Sequence, residues 1–322
     1  MPGPTPSPLL DRPGAVPADA PDEAVAAHYG DPLREQRRLA DGDGFVDLSH
    51  RGVVTVTGPD RLGWLHSLTT QHLGALPAGR PTQALVLSPH GHVEHHLYLL
   101  DDGTTTWLHV EPSTAPALVA FLDAMRFMLR VEVADVTDAY AVVARAGAYE
   151  IVPRERLADL PAELGEPVGL LASEALRVAA GVPRLHHDTD QRTIPHEVGW
   201  LATAVHLDKG CYRGQETVAR VHNLGRPPRR LVLLHLDGSS EVLPARGTEV
   251  TLDGARVGAL GTAVHHYELG PIALALVKRT VPDDATLVVG GAAGGMNAAV
   301  EALPGLSYDE LAAPRVRPRL RA

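Results

Sequence analysis

The only cysteine in this chain, Cys211, lies in the segment KGCYRGQETVAR, whose residue types are suited to chemistry. If this segment is extended, Lys209 and Cys211 point to the same side, because side chains alternate along a strand. An ammonium group close to a thiol favours the thiolate, which is the form that attacks electrophiles and binds metals. The pattern therefore predicts that Cys211 acts as a nucleophile or as a metal ligand, with Lys209 assisting it.

The residues around the cysteine offer backbone freedom and polar groups for binding a ligand. Gly210 and Gly214 let the backbone turn sharply and approach a ligand closely. Gln215 and Glu216 supply an amide and a carboxylate, which together can recognise a heterocycle with both donors and acceptors. The residue types also fit a structural alternative, in which Cys211 is a small buried hydrophobe in a turn between domains.

Three groups of histidines stand out as candidate metal ligands: His90, His92 and His96; His186 and His187 beside Asp188; and His265 with His266. A metal site needs three or four ligands that converge on one point. None of these groups has a recognised zinc spacing. We therefore expect solvated or hydrogen-bonded histidines and no bound metal.

The bulk properties of the sequence limit the class of protein. The length of 322 residues predicts two or three domains. A single cysteine cannot form an internal disulfide, which favours a reducing cytoplasm. No apolar run reaches the length of a membrane span, so no membrane association is expected. The net charge of −10 argues against broad binding to phosphates of nucleic acid, and no direct nucleic-acid partner is expected.

The elements that must position the cysteine segment belong to an α+β protein. Residues 1–22 are rich in proline and are expected to be a disordered lead rather than a signal peptide. In residues 23–227, strands flank single helices, which predicts an α+β sandwich. The chain contains neither G-x-G-x-x-G nor G-x-x-x-x-G-K-[ST], so a dinucleotide or nucleoside triphosphate fold has little support.

The C-terminal part has a different texture. Residues 228–303 contain short apolar runs separated by glycines, and Asp253-Gly254 between two such runs is a strong hairpin signal. We expect a small β-barrel or sandwich, which packs against the preceding module because the connecting segment NLGRPPRR is short and stiffened by prolines. Residues 304–322 are expected to be an arginine-rich tail.

A basic patch precedes the predicted barrel. Arg226, Arg229 and Arg230 could contact a polyglutamate tail or a protein partner. They could equally be the solvated residues of a domain linker.

The segment KGCYRGQETVAR resembles the signature of the YgfZ family of folate-binding proteins, which are relatives of the aminomethyltransferase (T-protein) of the glycine cleavage system. The similarity covers roughly residues 24–303 and includes FVDLSHRGVVTVTGPDRLGWLHSLTTQ, ALRVAAGVPR, TIPHEVGW and GPIALALVKR. The resemblance implies three subdomains in a ring around a central folate-sized hole, two of them formed by residues 23–227 as a folate-binding module and the third by the C-terminal β-barrel.

The resemblance also implies a ligand and a role. The cofactor would be tetrahydrofolate or a one-carbon folate, and Cys211 would lie at the rim of the folate hole, within reach of solvent. The protein would support assembly or repair of iron–sulfur clusters in client enzymes, including tRNA-modifying ones, through transient contacts with client or assembly proteins. The residues expected to bind folate are Arg177, Tyr212, Gly214, Gln215, Glu216 and His95.

Two departures from the aminomethyltransferase pattern make aminomethyl transfer an unfavoured activity. His95 stands where the transferase has the aspartate that activates the folate amine, and Ala179 stands where it has a carboxylate that grips the pterin. Two alternatives stay open beside the iron–sulfur hypothesis. One is a folate-dependent one-carbon transferase with altered catalytic groups. The other is a folate-binding module without chemistry, in which serine could replace Cys211.

Overall fold

The computed structural model of the protein describes residues 5–223, 225–239, 241–290 and 295–306. Its strands are β1 (Val16–Pro17), β2 (Ala26–His28), β3 (Phe45–Asp47), β4 (Gly52–Thr57), β5 (Thr82–Leu87), β6 (Val93–Asp101), β7 (Thr105–Val110), β8 (Glu132–Asp135), β9 (Tyr140–Arg145), β10 (Ala148–Pro153), β11 (Pro167–Val168), β12 (Arg229–Leu236), β13 (Glu249–Leu252), β14 (Ala255–His266), β15 (Gly270–Lys278), β16 (Thr286–Val289) and β17 (Met296–Ala302). Its α-helices are α1 (Pro32–Ala40), α2 (Arg61–Leu68), α3 (Ala115–Ala124), α4 (Leu160–Leu164), α5 (Leu170–Ala179), α6 (Trp200–Ala204) and α7 (Gln215–Asn223). The predicted α+β class is confirmed.

The first sheet has the strand order β5-β6-β7-β4-β8 and is antiparallel throughout. Helices α2 and α3 cover one face, where Leu65, Leu118 and Leu122 pack on Val54 and Val56 of β4. This burial of branched and aliphatic side chains is the main stabilising contribution in this part of the protein. The sheet carries the β5–β6 hairpin, which contains His90 to His96, into the middle of the molecule.

The second sheet has the order β10-β9-β3-β11, and the N-terminal segment packs beside it. Leu9 is buried in one core cluster with Phe45 and Val143, and Ser7 accepts a hydrogen bond from the Leu9 N–H at the start of a 3-10 turn. The prediction that residues 1–22 form a disordered lead is therefore wrong for residues 5–22. Their few apolar side chains are sufficient to anchor them, although the segment is rich in proline.

The third unit is a closed antiparallel barrel of strand order β12-β15-β14-β13-β16-β17, which confirms the predicted barrel. Asp253 and Gly254 form the two-residue turn between β13 and β14, and both have positive φ, 51° and 76°. That conformation is the one that Asp-Gly favours in tight hairpins. The strands run from Arg229 to Ala302, inside the predicted range of 228–303.

The barrel packs firmly on the preceding module, as predicted. One core cluster combines Leu233 and Leu274 of the barrel with Val178 of α5, Trp200 of α6 and Tyr212 of the cysteine segment. The cysteine segment is thus fixed by the same core that joins the two parts. Among the described residues, no helix is both long and apolar enough to cross a membrane. Of the predicted arginine-rich tail, residues 307–322 lie outside the described residues.

Candidate functional site

Cys211 lies in an exposed loop that leads into α7. Residues 207–214 form turns rather than a strand. The exposure makes the thiol accessible to solvent, so the alternative of a buried structural cysteine is wrong. The turns also remove the extended conformation that would have placed Lys209 and Cys211 on the same side.

Lys209 is buried, and its side chain is hydrogen-bonded to the end of a helix. Its Nζ donates hydrogen bonds to the carbonyl oxygens of His66 and Thr69, at the C-terminal end of α2. The last carbonyls of a helix have no partner within the helix, and a cation is favourable there. Burial lowers the pKa of Lys209 to about 8. Lys209 thus has a positioning role. Its side chain attaches the loop that carries Cys211 to the end of α2, the helix that covers the first sheet.

Gly214 lets the cysteine loop dock directly on the β5–β6 turn. Its φ is +79°, and a Cβ atom at this position would lie 2.6 Å from the carbonyl oxygen of Ser88 and 3.0 Å from Cα of Gly91. A Cβ atom on Gly91 would in turn lie 2.7 Å from Cβ of Thr217. Neither position therefore has room for a side chain. The sequence pattern predicted close approach to a ligand at Gly214, and the structure places another part of the backbone there.

The remaining residues of the motif shape the loop. Gln215 Nε2 donates to the Lys209 carbonyl over 3.4 Å, which closes the loop around Cys211. The Tyr212 ring is buried, lies 5.0 Å from Lys209 Nζ, and has its pKa raised to about 12 by burial. Glu216 is exposed and pairs with Arg220 one turn further along α7, at 2.6 Å. Each side chain therefore has a partner within the protein.

His95 and His96 point to opposite faces of β6. His95 is buried, its Nδ1 lacks a hydrogen-bond partner within the described residues, and burial, assisted by the charge of His186, lowers its pKa to about 4. His96 forms a hydrogen bond to Gln83 Oε1 at 2.9 Å, and its burial lowers its pKa to about 3. Both imidazoles are consequently neutral at pH 7, and neither is a charged group that could hold a folate.

Arg177 lies at the centre of the molecule, and all of its donors are used. Its guanidinium donates to both oxygens of Glu174, to Asp188, to Thr262 Oγ1 and to the Val182 carbonyl, over distances of 2.5 to 3.0 Å. An arginine has five N–H groups, and each of them has a partner here. Arg177 therefore has no donor left for a ligand in this conformation.

A network of buried ion pairs continues from Arg177 through the centre. Arg184 donates from Nη1 and Nη2 to the two carboxylate oxygens of Asp22, each at 3.0 Å. Arg184 also pairs with Glu111, which in turn pairs with Arg51 at 2.9 Å. Burial alone would raise the pKa of Glu111, but the charges of Arg184 and Arg51 outweigh it and lower that pKa. Sequence reasoning missed Arg51, Glu111 and Arg184, because nothing in their local pattern marks them as partners.

The network leaves little space at the centre. The cavity bordered by Tyr98, Tyr149, Arg177 and Arg184 has a volume of about 50 Å³. That volume suits one or two water molecules, whereas pockets for small ligands usually measure roughly 300–1,000 Å³. The described residues thus show no folate-sized hole at this place, where the charged side chains of Arg51, Arg177 and Arg184 border a small cavity.

A larger aromatic cavity adjoins the central one through Tyr98 and Tyr149. Its volume is about 530 Å³, and Trp107, His109 and Gln83 also line it. The His109 ring stacks on Tyr98 with centroids 4.8 Å apart and planes 5° apart. His109 is 3% exposed, and neither of its ring nitrogens has a hydrogen-bond partner within the described residues. Flat rings with unused polar atoms are suited to a heteroaromatic ligand; we refer to this space as the aromatic cavity.

The structure does not bring all of the predicted site residues together. Arg177 lines the central cavity, whereas Cys211, Tyr212 and Gly214 line neither it nor the aromatic cavity. The same is true of Lys209, Gln215, Glu216 and His95. The thiol loop and the cavities are therefore separate places joined by one core. A signal that could have indicated the aromatic cavity is the cluster of Tyr98, Trp107 and His109 on paired strands.

The candidate metal ligands and the basic patch have other partners. Within the ranges that the structure describes, no three of the His, Cys, Asp or Glu residues are grouped so as to hold a metal ion. Arg230 is fully buried in the barrel, where it donates to the carbonyls of Val281 and Leu306 and pairs with Asp283. Arg229 pairs with Asp190 and Glu197. The description of these two arginines as a solvated linker is therefore wrong.

Comparison with known proteins agrees with this architecture. Residues 229–302 match the family model described as the C-terminal β-barrel domain of CAF17. The solved aminomethyltransferase T of the glycine cleavage system from Bartonella henselae has the same fold, with a TM-score of 0.81 at 18% identity over 94% of this chain and 96% of that chain.

The relatives by sequence include both assembly factors and transferases. The mitochondrial iron-sulfur cluster assembly factor IBA57 homolog of Mycosarcoma maydis is 28% identical over 74% of this chain and 68% of its own length. The aminomethyltransferase of a Thermotoga strain is 25% identical over 83% and 87%. A chloroplastic protein of Arabidopsis thaliana, whose name gives it a provisional transferase activity, is 27% identical over 67% of this chain, and the match spans only 60% of that protein. The barrel model, the shared fold and these relatives agree with the resemblance to the YgfZ family, related to the aminomethyltransferases, that the cysteine motif indicated.

Proposed function

We propose that this protein supports the assembly or repair of iron–sulfur clusters in client enzymes, including tRNA-modifying ones, and that Cys211 is the residue that acts. The single observation that carries the proposal is the exposed thiol at the tip of a loop held on three sides. The similarity to a protein named as an iron-sulfur cluster assembly factor gives the thiol its chemical context.

The number of thiols limits what Cys211 can do. An iron–sulfur cluster usually takes four protein ligands, and this chain has one cysteine. Stable holding of a cluster by one copy is therefore disfavoured. Transient ligation shared with a client or an assembly protein, or thiol redox chemistry during repair, fits one exposed thiol better. We place this activity in a reducing cytoplasm, where a thiol stays free.

We further propose that a folate binds in the aromatic cavity rather than in the central one. The volume of about 530 Å³ suits a pterin, and the exposed ring of Tyr149 offers a face on which a flat ring can stack. Gln83 and the neutral His109 would supply donors and acceptors to its edge. A bound folate would contribute its one-carbon unit or its reducing pterin ring, while the protein's residues would orient it and exclude water.

Aminomethyl transfer is the less supported candidate. Several relatives are named aminomethyltransferase, but His95 stands where the resemblance places the aspartate that activates the folate amine. His95 is buried and neutral, with its pKa lowered to about 4 by burial. Ala179 has no polar group with which to hold a pterin.

A complementation experiment tests the role of Cys211. A strain lacking this protein is assayed for iron–sulfur enzyme activities and for tRNA modifications, then supplied with wild type, Cys211→Ala or Asp208→Asn. Asp208 is an exposed neighbour in the same loop and serves as the matched control. We expect wild type and Asp208→Asn to restore the activities and Cys211→Ala to fail at equal protein levels. Full restoration by Cys211→Ala would refute the proposed role.

Calorimetry with tetrahydrofolate tests the second part separately. We expect Tyr149→Ala to weaken binding by about tenfold, since stacking on an aromatic ring contributes about 1–3 kcal/mol. The control is Tyr267→Ala, which removes an aromatic ring outside the cavity. Equal affinities for the two variants would place any folate elsewhere, and no heat from wild type would exclude folate binding.

A further inference from the structure

A second cleft, of about 570 Å³, lies where the barrel meets the loop of residues 186–190. It is lined by parts of β14 and β15 and shares no residue with the central cavity, the aromatic cavity or the cysteine loop. Its volume falls within the range of roughly 300–1,000 Å³ that is usual for small-ligand sites. We refer to it as the basic cleft, because the charges on its walls are mostly positive.

The acidic residues of the basic cleft are already neutralised. Asp188 is buried and accepts from Arg177, from the backbone N–H of Arg184 and from that of Thr262. Asp190 pairs with Arg229 at 2.5 Å. The carboxylates therefore leave no net negative charge facing the cleft.

Three cations on the walls have no carboxylate partner among the described residues. Arg246, Arg256 and Lys278 are exposed and line the cleft, and none forms an ion pair with an acidic residue in the part of the chain that the structure describes. The protein as a whole carries a charge of −10. A concentration of unpaired positive charge on an acidic protein attracts anions to one place.

The register of the barrel strengthens this argument. Arg229 of β12 and Lys278 of β15 are directly opposite each other in the antiparallel pair. Like charges at such positions destabilise a sheet unless something compensates them. Asp190 and Glu197 compensate Arg229, whereas Lys278 has no such partner among the described residues. An anion in the basic cleft would relieve this repulsion.

The loop that forms the other wall is firmly held. His186 has a left-handed backbone conformation, with φ of 66°. Its N–H donates to Thr189 Oγ1 at 2.8 Å, and its carbonyl accepts from Arg246 Nη1 at 3.0 Å. A residue other than glycine is held in this conformation only when its surroundings fix it, and such residues are frequent at binding sites. Arg246 is thereby oriented at the edge of the cleft.

We infer that the basic cleft binds a small organic phosphate that carries at least two negative charges. Arginine side chains match the oxygens of a phosphate in pairs, and lysine adds a point charge. Val257, Ala259 and Leu276 form an aliphatic wall beside the cations. The cleft therefore offers a surface for an apolar or flat part of the ligand next to the anionic end. This site goes beyond the thiol chemistry and the folate cavity and depends on neither.

Calorimetry with inorganic pyrophosphate and with ATP as probes, without metal and at fixed ionic strength, tests the inference. We expect both to bind wild type, with ATP the tighter because it also reaches the aliphatic wall. The double variant Arg256→Gln/Lys278→Gln should weaken both by about tenfold or more, since each lost charge-assisted contact is costly. Both side chains are exposed, so the variant is expected to fold.

The matched control is Arg126→Gln/Arg220→Gln, which removes the same charge from exposed residues elsewhere. We expect it to change affinity by no more than about twofold, because distant surface charges are screened. If both double variants weaken probe binding equally, the loss of affinity comes from net charge alone, and the proposed site is overturned. Binding of triglutamate as tight as that of pyrophosphate would overturn the phosphate class. No binding of either probe at about 5 mM would overturn the inference entirely.

Discussion

Arg177 Nη1 and Asp188 Oδ2 form an ion pair of 2.7 Å that joins α5 to the loop under the barrel. The Asp188 side chain is completely buried, and its other oxygen accepts the Thr262 N–H of β14. One carboxylate thus connects the central ion network with the barrel. The contact explains why the barrel and the module behave as one packed structure.

Asp188→Asn is expected to destabilise the protein by about 3–5 kcal/mol, because it leaves Arg177 buried with one partner fewer. Equilibrium unfolding in urea measures the change. The control is Asp43→Asn, which breaks an exposed pair with Arg38 and should cost less than about 1 kcal/mol. Similar losses of unfolding free energy for the two variants would show that the buried pair stabilises the protein no more than the exposed pair does.

Gly214→Ala is expected to cost about 1–3 kcal/mol more than Gly79→Ala. Both glycines have φ of +79°, so the cost of the backbone conformation is shared. Only at Gly214 would the added methyl meet the Ser88 carbonyl, and overpacking of this kind costs about 1–3 kcal/mol. Unfolding of the two variants side by side checks the difference. Equal stabilities would mean that the loop and the hairpin turn are not in close contact.

The stability of wild type relative to Lys209→Met should rise as the pH rises from about 8 towards 10.5. Burial lowers the pKa of Lys209 to about 8 from 10.5, so in this window the unfolded chain binds the proton that the folded protein has released. Stability increases with pH wherever the unfolded state binds more protons. Denaturation at about pH 7.5 and about pH 9.5 measures the change.

A matched series with Arg80→Met, an exposed arginine that stays charged across this window, should show no such change relative to wild type. If the difference in unfolding free energy between wild type and Lys209→Met does not change with pH in this window, Lys209 is not buried in solution.

Cys211 in the folded protein should react with iodoacetamide at a rate within about tenfold of the rate in denaturant, because the thiol is exposed. Mass spectrometry of samples quenched over time gives both rates. A thiol that is labelled only after unfolding would contradict the loop structure, although the fold would stand.

Local features could be predicted from the sequence, and distant pairings could not. The turn at Asp253 and Gly254 was predictable because two adjacent residues determine it. The motif around Cys211 indicated an exposed, specialised loop. The partners of Lys209 are backbone carbonyls of His66 and Thr69, which carry no side-chain signature. Sequence spacing therefore gave the lysine a chemical role, while the fold gives it a structural one.

The central network was the least predictable part for the same reason. Arg184 and Asp22 are separated by 162 positions, and no periodicity or motif relates two residues so far apart. The aromatic cavity depends likewise on a hairpin, β9–β10, that packs near strands from a different sheet. The family resemblance predicted the barrel and the shared fold, but it could not predict the buried ion pairs, which depend on the individual side chains of this chain.

The position of Asp22 has a consequence for biosynthesis. Asp22 is synthesised before its partner Arg184, which follows 162 residues later. Closing so long a loop is slow, and the segment gains its buried contacts only when the later residues are in place. During translation, Asp22 therefore lacks its partner Arg184 until that later part of the chain has been made.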